Sequence, residues 1–248
     1  MGHVILGNGQ VGATAARILA DAGENVRVLS RSGGQNTDRI THVTVDARDR
    51  DALVAATEGA TVIYNCANPA RYDQWAEQWP PMATALLDAA ETHSAGLVMV
   101  GNLYVYAETD RHMTVNSPMA ATTTKGRIRA DMWNEAMRRH AAGRIRVTEV
   151  RGSDYFGPGA LGNAMLGERV FHPLITGRNL SLLGDIDAEH SFTYIPDVAS
   201  ALVRLGSDDR SWGRAWHVPT ALPRSQREMI EAICTILDRP MPRIRRTP

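Results

Sequence analysis

Residues His3 to Ser32 constrain this chain more than any other stretch. His3 to Leu6 is a short apolar run that predicts a strand, and Gly7, Gly9 and Gly12 follow it as GxGxxG. Val11, Ala15, Ile18, Leu19 and Ala22 then recur at helical spacing on one face. Gly23 stops that helix, and Val26 to Leu29 begins a second strand. A strand, glycine turn, helix and strand in this order form the phosphate corner of a dinucleotide site. The first glycine permits the tight turn, the second lets the backbone approach a pyrophosphate, and the third allows close helix–strand packing. Free N–H groups and the dipole at the helix start hold the phosphates. The site therefore takes in Gly7, Asn8, Gly9, Gln10, Val11 and Gly12.

The 248 residues carry a formal net charge of zero, so no global basic field draws nucleic acid or a membrane surface. The chain opens on a strand, not a signal sequence, and holds no apolar run of membrane-spanning length. Cys66 on a predicted strand and Cys234 on a predicted helix suit a reducing cytoplasm. The scattered histidines, without a cysteine at ligand spacing, predict no metal site. The end at RIRRTP, just past a helix, raises the expectation of a further C-terminal segment.

Past the second strand stand Ser30, Arg31 and Ser32, with no carboxylate before Asp38. A guanidinium flanked by hydroxyls, where an acidic residue would bind a ribose 2′-hydroxyl, suits a 2′-phosphate. Arg31 and Ser32 thus put NADP(H) ahead of NAD(H), the other reading of Arg31 being a solvated loop residue. His42 to Val45 predicts a third strand ending at Asp46 and Ala47, placed to meet an adenine, while Asp49 reads as a helix cap. Thr61 to Cys66 predicts a fourth, central strand, after which Cys66, Ala67 and Asn68 leave the sheet at its carboxyl edge, where such sheets bind ligands.

Tyr72 to His93 reads as two helices meeting at Pro80-Pro81, with Trp75 and Trp79 on one face as packing residues or a pocket wall. Leu97 to Val100 predicts a fifth strand running into Asn102, Tyr104 and Tyr106; Thr124 to Ala142 a helix; and Ile145 to Val150 a sixth strand. Alternating strands and helices predict an α/β fold, a doubly wound parallel sheet of the Rossmann kind. From Arg151 the texture turns short and Gly-rich, with a strand at 192–195, a helix at 196–205, a strand at 215–218 and an amphipathic helix at 224–237. The expected division is a dinucleotide-binding domain at 1–151 and a small C-terminal substrate lobe at 152–248, with 192–206 packing back on the first domain.

Together these residues resemble the extended or atypical short-chain dehydrogenase/reductases, the NAD-dependent epimerase/dehydratase family, over nearly the whole chain. The glycine turn matches GNGQVG, the acidic adenine contact Asp46, and the strand-end VYG matches Val105-Tyr106-Ala107. The family's RxxNxYGP matches Arg151 to Pro158, and its FxxVxDVA matches Phe192 to Ala199. The resemblance implies hydride transfer between a nicotinamide and a carbonyl or alcohol. A Tyr then serves as acid/base beside a Lys four residues on, with a Ser or Thr from the fifth strand. Lys125 fills the Lys place, where it also serves cofactor binding, but the Tyr place holds Ala121 and the hydroxyl place Asn102.

If reduction survives, Tyr104 is the first candidate acid, with Tyr106 and Tyr155 behind it, and Asn102 as a donor to a substrate oxygen. Sugar-nucleotide members hold an Asn and an Arg around the diphosphate; here those places are Asp154 and His190, which disfavour a diphosphate. Tyr106, Asp154, Tyr155 and His190 are thus expected around a smaller substrate. The leading expectation is an NADP(H)-dependent oxidoreductase acting on a carbonyl or alcohol of a small non-nucleotide metabolite. A silent NADP-binding sensor and a non-redox isomerase or cyclase remain alternatives. A homodimer through residues 82–93 and 124–142 stays open.

Overall fold

The computed structural model describes residues 2–109, 112–160 and 164–247. In chain order come β1 (His3–Leu6), α1 (Gln10–Asp21), β2 (Val26–Ser30), β3 (Ile40–Thr44), α2 (Arg50–Ala56), β4 (Val62–Asn65), α3 (Trp75–Thr92) and β5 (Gly96–Asn102). Next are α4 (Thr124–Ala141), β6 (Arg146–Gly152), β7 (Asp154–Phe156), α5 (Glu168–Ile175), β8 (Leu180–Leu183), β9 (Glu189–His190) and β10 (Phe192–Tyr194). The last are α6 (Ile195–Gly206), β11 (Arg214–His217), β12 (Arg224–Ser225), α7 (Gln226–Ile236) and β13 (Ile244–Thr247).

Seven strands form one sheet in the order β11-β6-β5-β4-β1-β2-β3. β1 pairs in parallel with β2 and β4, β2 with β3, β4 with β5, and β6 with β11. This is the doubly wound α/β sheet that the alternation of elements predicts. Every residue of β1 and β4 is buried, as strands covered on both faces require. The chain leaves β1 toward β2 on one side and returns to β4 on the other, so a crevice opens past Leu6 and Asn65. The packed interior beside it includes Leu6, Leu29, Ile63, Trp79, Leu86 and Leu97.

α3 corrects one expectation. The helix runs unbroken from Trp75 to Thr92 with Pro80 and Pro81 inside it. Two backbone donors are lost there, but Trp75 and Trp79 before the pair, and Ala85, Leu86 and Leu87 after it, are all buried in one core. Packing on both sides of the prolines keeps the helix going. The two tryptophans are core residues with their rings 6.0 Å apart, edge to face.

The chain divides into two compact units: Met1–Arg151 with Val198–Val218, and Gly152–Asp197 with Pro219–Pro248. The second has its own core, drawn from Leu166, Val170, Leu180, Phe192 and Ile230 among others. Its strands pair two by two, β7 with β10 and β8 with β13 in parallel, β9 with β12 antiparallel. Ser225 and Glu228 close a capping box at the start of α7. No helix of the described residues is long and apolar enough to cross a membrane.

Candidate active site

The glycine turn does what its spacing demands. Gly7 has φ +104°, and a Cβ there would lie 2.7 Å from the Ala67 nitrogen and 2.8 Å from the Cys66 carbonyl carbon, so the turn lies flat against the end of β4. A Cβ on Gly12 would meet the Gly7 oxygen at 2.0 Å, which ties α1 closely to the turn. At Gly9 a Cβ would touch nothing within 4 Å. Gly9 is also the N-cap of α1, and no side chain caps the helix there. Open space in front of uncapped N–H groups is the cradle a pyrophosphate needs, so these residues fit a dinucleotide.

The ends of β2 and β3 lie beside this turn. Asn8 Nδ2 and Ser30 Oγ both donate to the Gly33 oxygen, at 3.2 Å each, which fixes the loop carrying Arg31 and Ser32. Arg31 and Ser32 are exposed. Asp46 is held down to about 2, first by its hydrogen bonds with Arg48 and to a smaller degree by the charge of Arg31. Arg48 forks onto it, Nη2 to Oδ2 at 2.6 Å and Nε to Oδ1 at 3.1 Å. Both Asp46 oxygens are thus engaged by a guanidinium that sequence reasoning did not single out. The spacing Asp-x-Arg just past a strand was the available signal. Ala47 is buried, and Asp49 caps α2 through the Ala52 nitrogen as expected.

After β4, Cys66 packs against Gly7, and burial pushes its thiol up. Asn68 is exposed at the edge, where its Oδ1 accepts from Arg129 Nη2 at 3.0 Å. Arg129 comes from α4 and is buried, its guanidinium 4.3 Å from the Trp79 ring centroid and 5.1 Å from that of Trp75. Trp75 Nε1 donates to the Pro69 oxygen at 3.2 Å. The loop after β4 is therefore held from below by α3 and α4 together.

One turn before Arg129, Lys125 Nζ sits 3.9 Å from the Tyr104 ring centroid and 5.3 Å from that of Tyr72. The two phenol oxygens are 3.1 Å apart, within hydrogen-bond distance. Tyr104 lies in the 3-10 turn Leu103–Val105 that continues β5, and Tyr72 in the turn Tyr72–Gln74 that leads into α3. Gly126 makes the approach of α4 close, since a Cβ there would be 2.3 Å from the Tyr104 oxygen of the backbone. Asn102 Oδ1 accepts from the Tyr104 nitrogen at 3.1 Å, so the amide caps this turn and keeps its NH2 as a donor. Ala121 lies before the N-cap Thr123, outside α4. Tyr72 escaped sequence reasoning because it meets Tyr104 and Lys125 only through the fold.

Tyr106 is held by a guanidinium and an imidazole. Its side chain is buried, and its hydroxyl accepts from Arg151 Nη1 at 2.9 Å and contacts His217 Nε2 at 2.8 Å. Arg151 also donates to Glu149 at 2.5 Å, both side chains being 1 % exposed. Burial raises the Glu149 carboxyl and lowers His217. The buried guanidinium claims the Tyr106 oxygen, which removes it from the expected substrate-facing set. In the second unit, Asp154 Oδ2 and His190 Nδ1 lie 3.0 Å apart, and that hydrogen bond raises His190. Tyr155 follows Asp154 on β7, its ring against Gly152. The two replacements at the family's diphosphate positions are thus each other's partners.

The sequence model for the NAD dependent epimerase/dehydratase family matches residues 4–217. A dTDP-glucose 4,6-dehydratase from Streptomyces venezuelae, crystallised with NAD, matches with TM-score 0.87 at 20 % identity, covering 100 % of this chain and 84 % of that one. A dTDP-glucose 4,6-dehydratase from Bacillus anthracis in complex with NAD has TM-score 0.87 at 17 % identity, with coverages of 100 % and 84 %. A UDP-glucuronic acid 4-epimerase from Bacillus cereus in complex with NAD has TM-score 0.88 at 16 % identity, with coverages of 100 % and 86 %. No curated protein matches the chain by sequence. At these identities the solved structures speak for the fold alone.

Proposed function

From the premise that this chain belongs to the NAD-dependent epimerase/dehydratase family, we propose that it is a dinucleotide-dependent oxidoreductase that reduces a carbonyl of a small metabolite carrying no nucleotide. The observation that carries this reading is the Tyr104–Lys125 pair, in which the family's lysine place is kept and the phenol comes from the end of β5 in place of position 121. Gly7 to Gly12 would hold the pyrophosphate of a dinucleotide, Asp46 and Ala47 would border its adenine and Cys66 to Asn68 its nicotinamide half, and such a group would supply the hydride. Tyr104 gives its proton to the oxygen, Lys125 supports the charge left on the phenol, and the Asn102 NH2 orients that oxygen. Asp154, already hydrogen-bonded to His190, offers a diphosphate no clamp, which supports a smaller substrate.

Arg31 and Ser32 select NADP(H), although the solved relatives carry NAD. The test is a calorimetric titration with NADPH and NADH, followed by a carbonyl screen for stereospecific NADPH oxidation. Arg31→Ala should weaken NADPH alone by about 1.5–3 kcal/mol, the worth of a hydrogen bond to a charged group. Equal affinities for both forms in the parent would overturn the selection. Loss of the family's Tyr at Ala121 favours a second reading, a dinucleotide-binding sensor. Tight NADPH binding with no carbonyl reduced across the screen would establish that reading instead.

A further inference from the structure

Three side chains from separate elements of the first unit converge above β5: Tyr72, Tyr104 and Lys125. We propose that Tyr72 is the positioning residue that makes Tyr104 an acid, donating its own hydroxyl hydrogen to the Tyr104 oxygen. This inference rests on the reductase reading for its use, but not for its existence.

The chemistry follows from what a phenol does when it gives up a proton. Negative charge builds on its oxygen and spreads into its ring. With Tyr72 donating across 3.1 Å, that oxygen is hydrogen-bonded in the charged form. The Lys125 ammonium stands 3.9 Å from the ring centroid and opposes the charge that spreads there. Trp75, at 6.4 Å from Tyr104 between ring centroids, adds an apolar side. Arg129 brings a second positive charge behind Trp75. In the balanced step, hydride adds to the carbonyl carbon, the π pair of C=O moves to oxygen, and that oxygen takes the Tyr104 proton. The dihydronicotinamide is oxidised and the carbonyl reduced. Tyr104 then recovers a proton from Tyr72, which is 49 % exposed and recovers its own from water. The relay puts back the proton without opening the site.

Lys125 from α4 and Tyr72 from the turn before α3 both reach Tyr104, and each can be removed alone. The readout is ultraviolet difference absorbance of tyrosinate against pH, on the full chain with no dinucleotide or substrate added. The parent should show one phenol ionising about tenfold more readily than an ordinary tyrosine, a shift of about one pH unit. Tyr104→Phe should abolish that transition, while Tyr72→Phe and Lys125→Met should each move it upward. Tyr72 is half-exposed and loses only a hydroxyl in Tyr72→Phe, so the variant keeps its fold. An early transition that Tyr72→Phe leaves in place, or no early transition in the parent, overturns the proposal. If the transition behaves as expected while the parent reduces no carbonyl, the Tyr72 role stands and the reductase reading falls.

Discussion

Replacing Arg151 by Met tests the buried charge chain beneath the site. Arg151 donates to Glu149 at 2.5 Å and to the Tyr106 hydroxyl at 2.9 Å, and Glu149 is 1 % exposed. Methionine keeps much of the apolar stem but leaves that carboxylate without its nearest cation and Tyr106 without the Arg151 donor. Breaking a buried pair from one side costs about 3–5 kcal/mol. A loss near ~4 kcal/mol is expected at neutral pH, because proton uptake by Glu149 relieves part of the penalty. Burial already holds the Glu149 carboxyl above its ordinary value of 4.5, and without Arg151 it rises further. A carboxyl raised by folding binds more protons folded than unfolded, so it costs stability above the folded value and nothing below the unfolded one. The deficit of Arg151→Met should therefore shrink as pH falls through the raised value toward 4.5. Urea midpoints at constant slope, measured at neutral and mildly acid pH, read both effects. The double variant Arg151→Met with Glu149→Gln should recover about 2 kcal/mol or more, since it buries no orphan charge. A single variant that loses less than about 1 kcal/mol, or a double variant no more stable than the single, would refute the reasoning.

Two further outcomes follow from particular contacts. Gly9→Ala should keep the unfolding midpoint, since its Cβ meets nothing, yet bind NADPH at least roughly tenfold more weakly by filling the phosphate cradle; Gly12→Ala, 2.0 Å from the Gly7 oxygen, should lose both. Equal binding by Gly9→Ala and the parent would remove the pyrophosphate from this turn. Folding raises His190 above 6.5 through Asp154, so the pair stabilises fully below 6.5 and its contribution is lost as pH rises through the folded value. Because both side chains are about a third exposed, the change should stay under about 1 kcal/mol and vanish in Asp154→Asn, as read from melting temperatures across that range.

What could be read from residues alone divides along one line. The glycine turn, the individual strands of the sheet and the Asp49 cap were legible because each depends on neighbours a few positions away. A backbone that must turn at φ +104° asks for Gly7 wherever the rest of the chain goes. Tyr72 with Tyr104, Arg129 with Asn68, and Asp154 with His190 join residues 32, 61 and 36 positions apart, and no local pattern announces such pairs. The proline pair failed in the opposite sense. Its local signal was strong, and the burial of Trp79 and Leu86 around it was stronger. Tyr106 lies two positions from Tyr104 in sequence and has the same chemistry, and the buried guanidinium bonded to it separates their fates.

The edge-on pair of Trp75 and Trp79 gives the molecule an optical reporter of its own. Two indoles with centroids 6.0 Å apart share their excited states, and the splitting that results shows in far-ultraviolet circular dichroism. Arg129 lies over both rings and is tied to Asn68, so any tug on that loop changes the field the indoles feel. A ligand that moves the loop after β4 would thus alter the couplet while the signal from tryptophans elsewhere stayed still. The chain carries, already wired to its candidate site, the kind of chromophore pair that is usually engineered in.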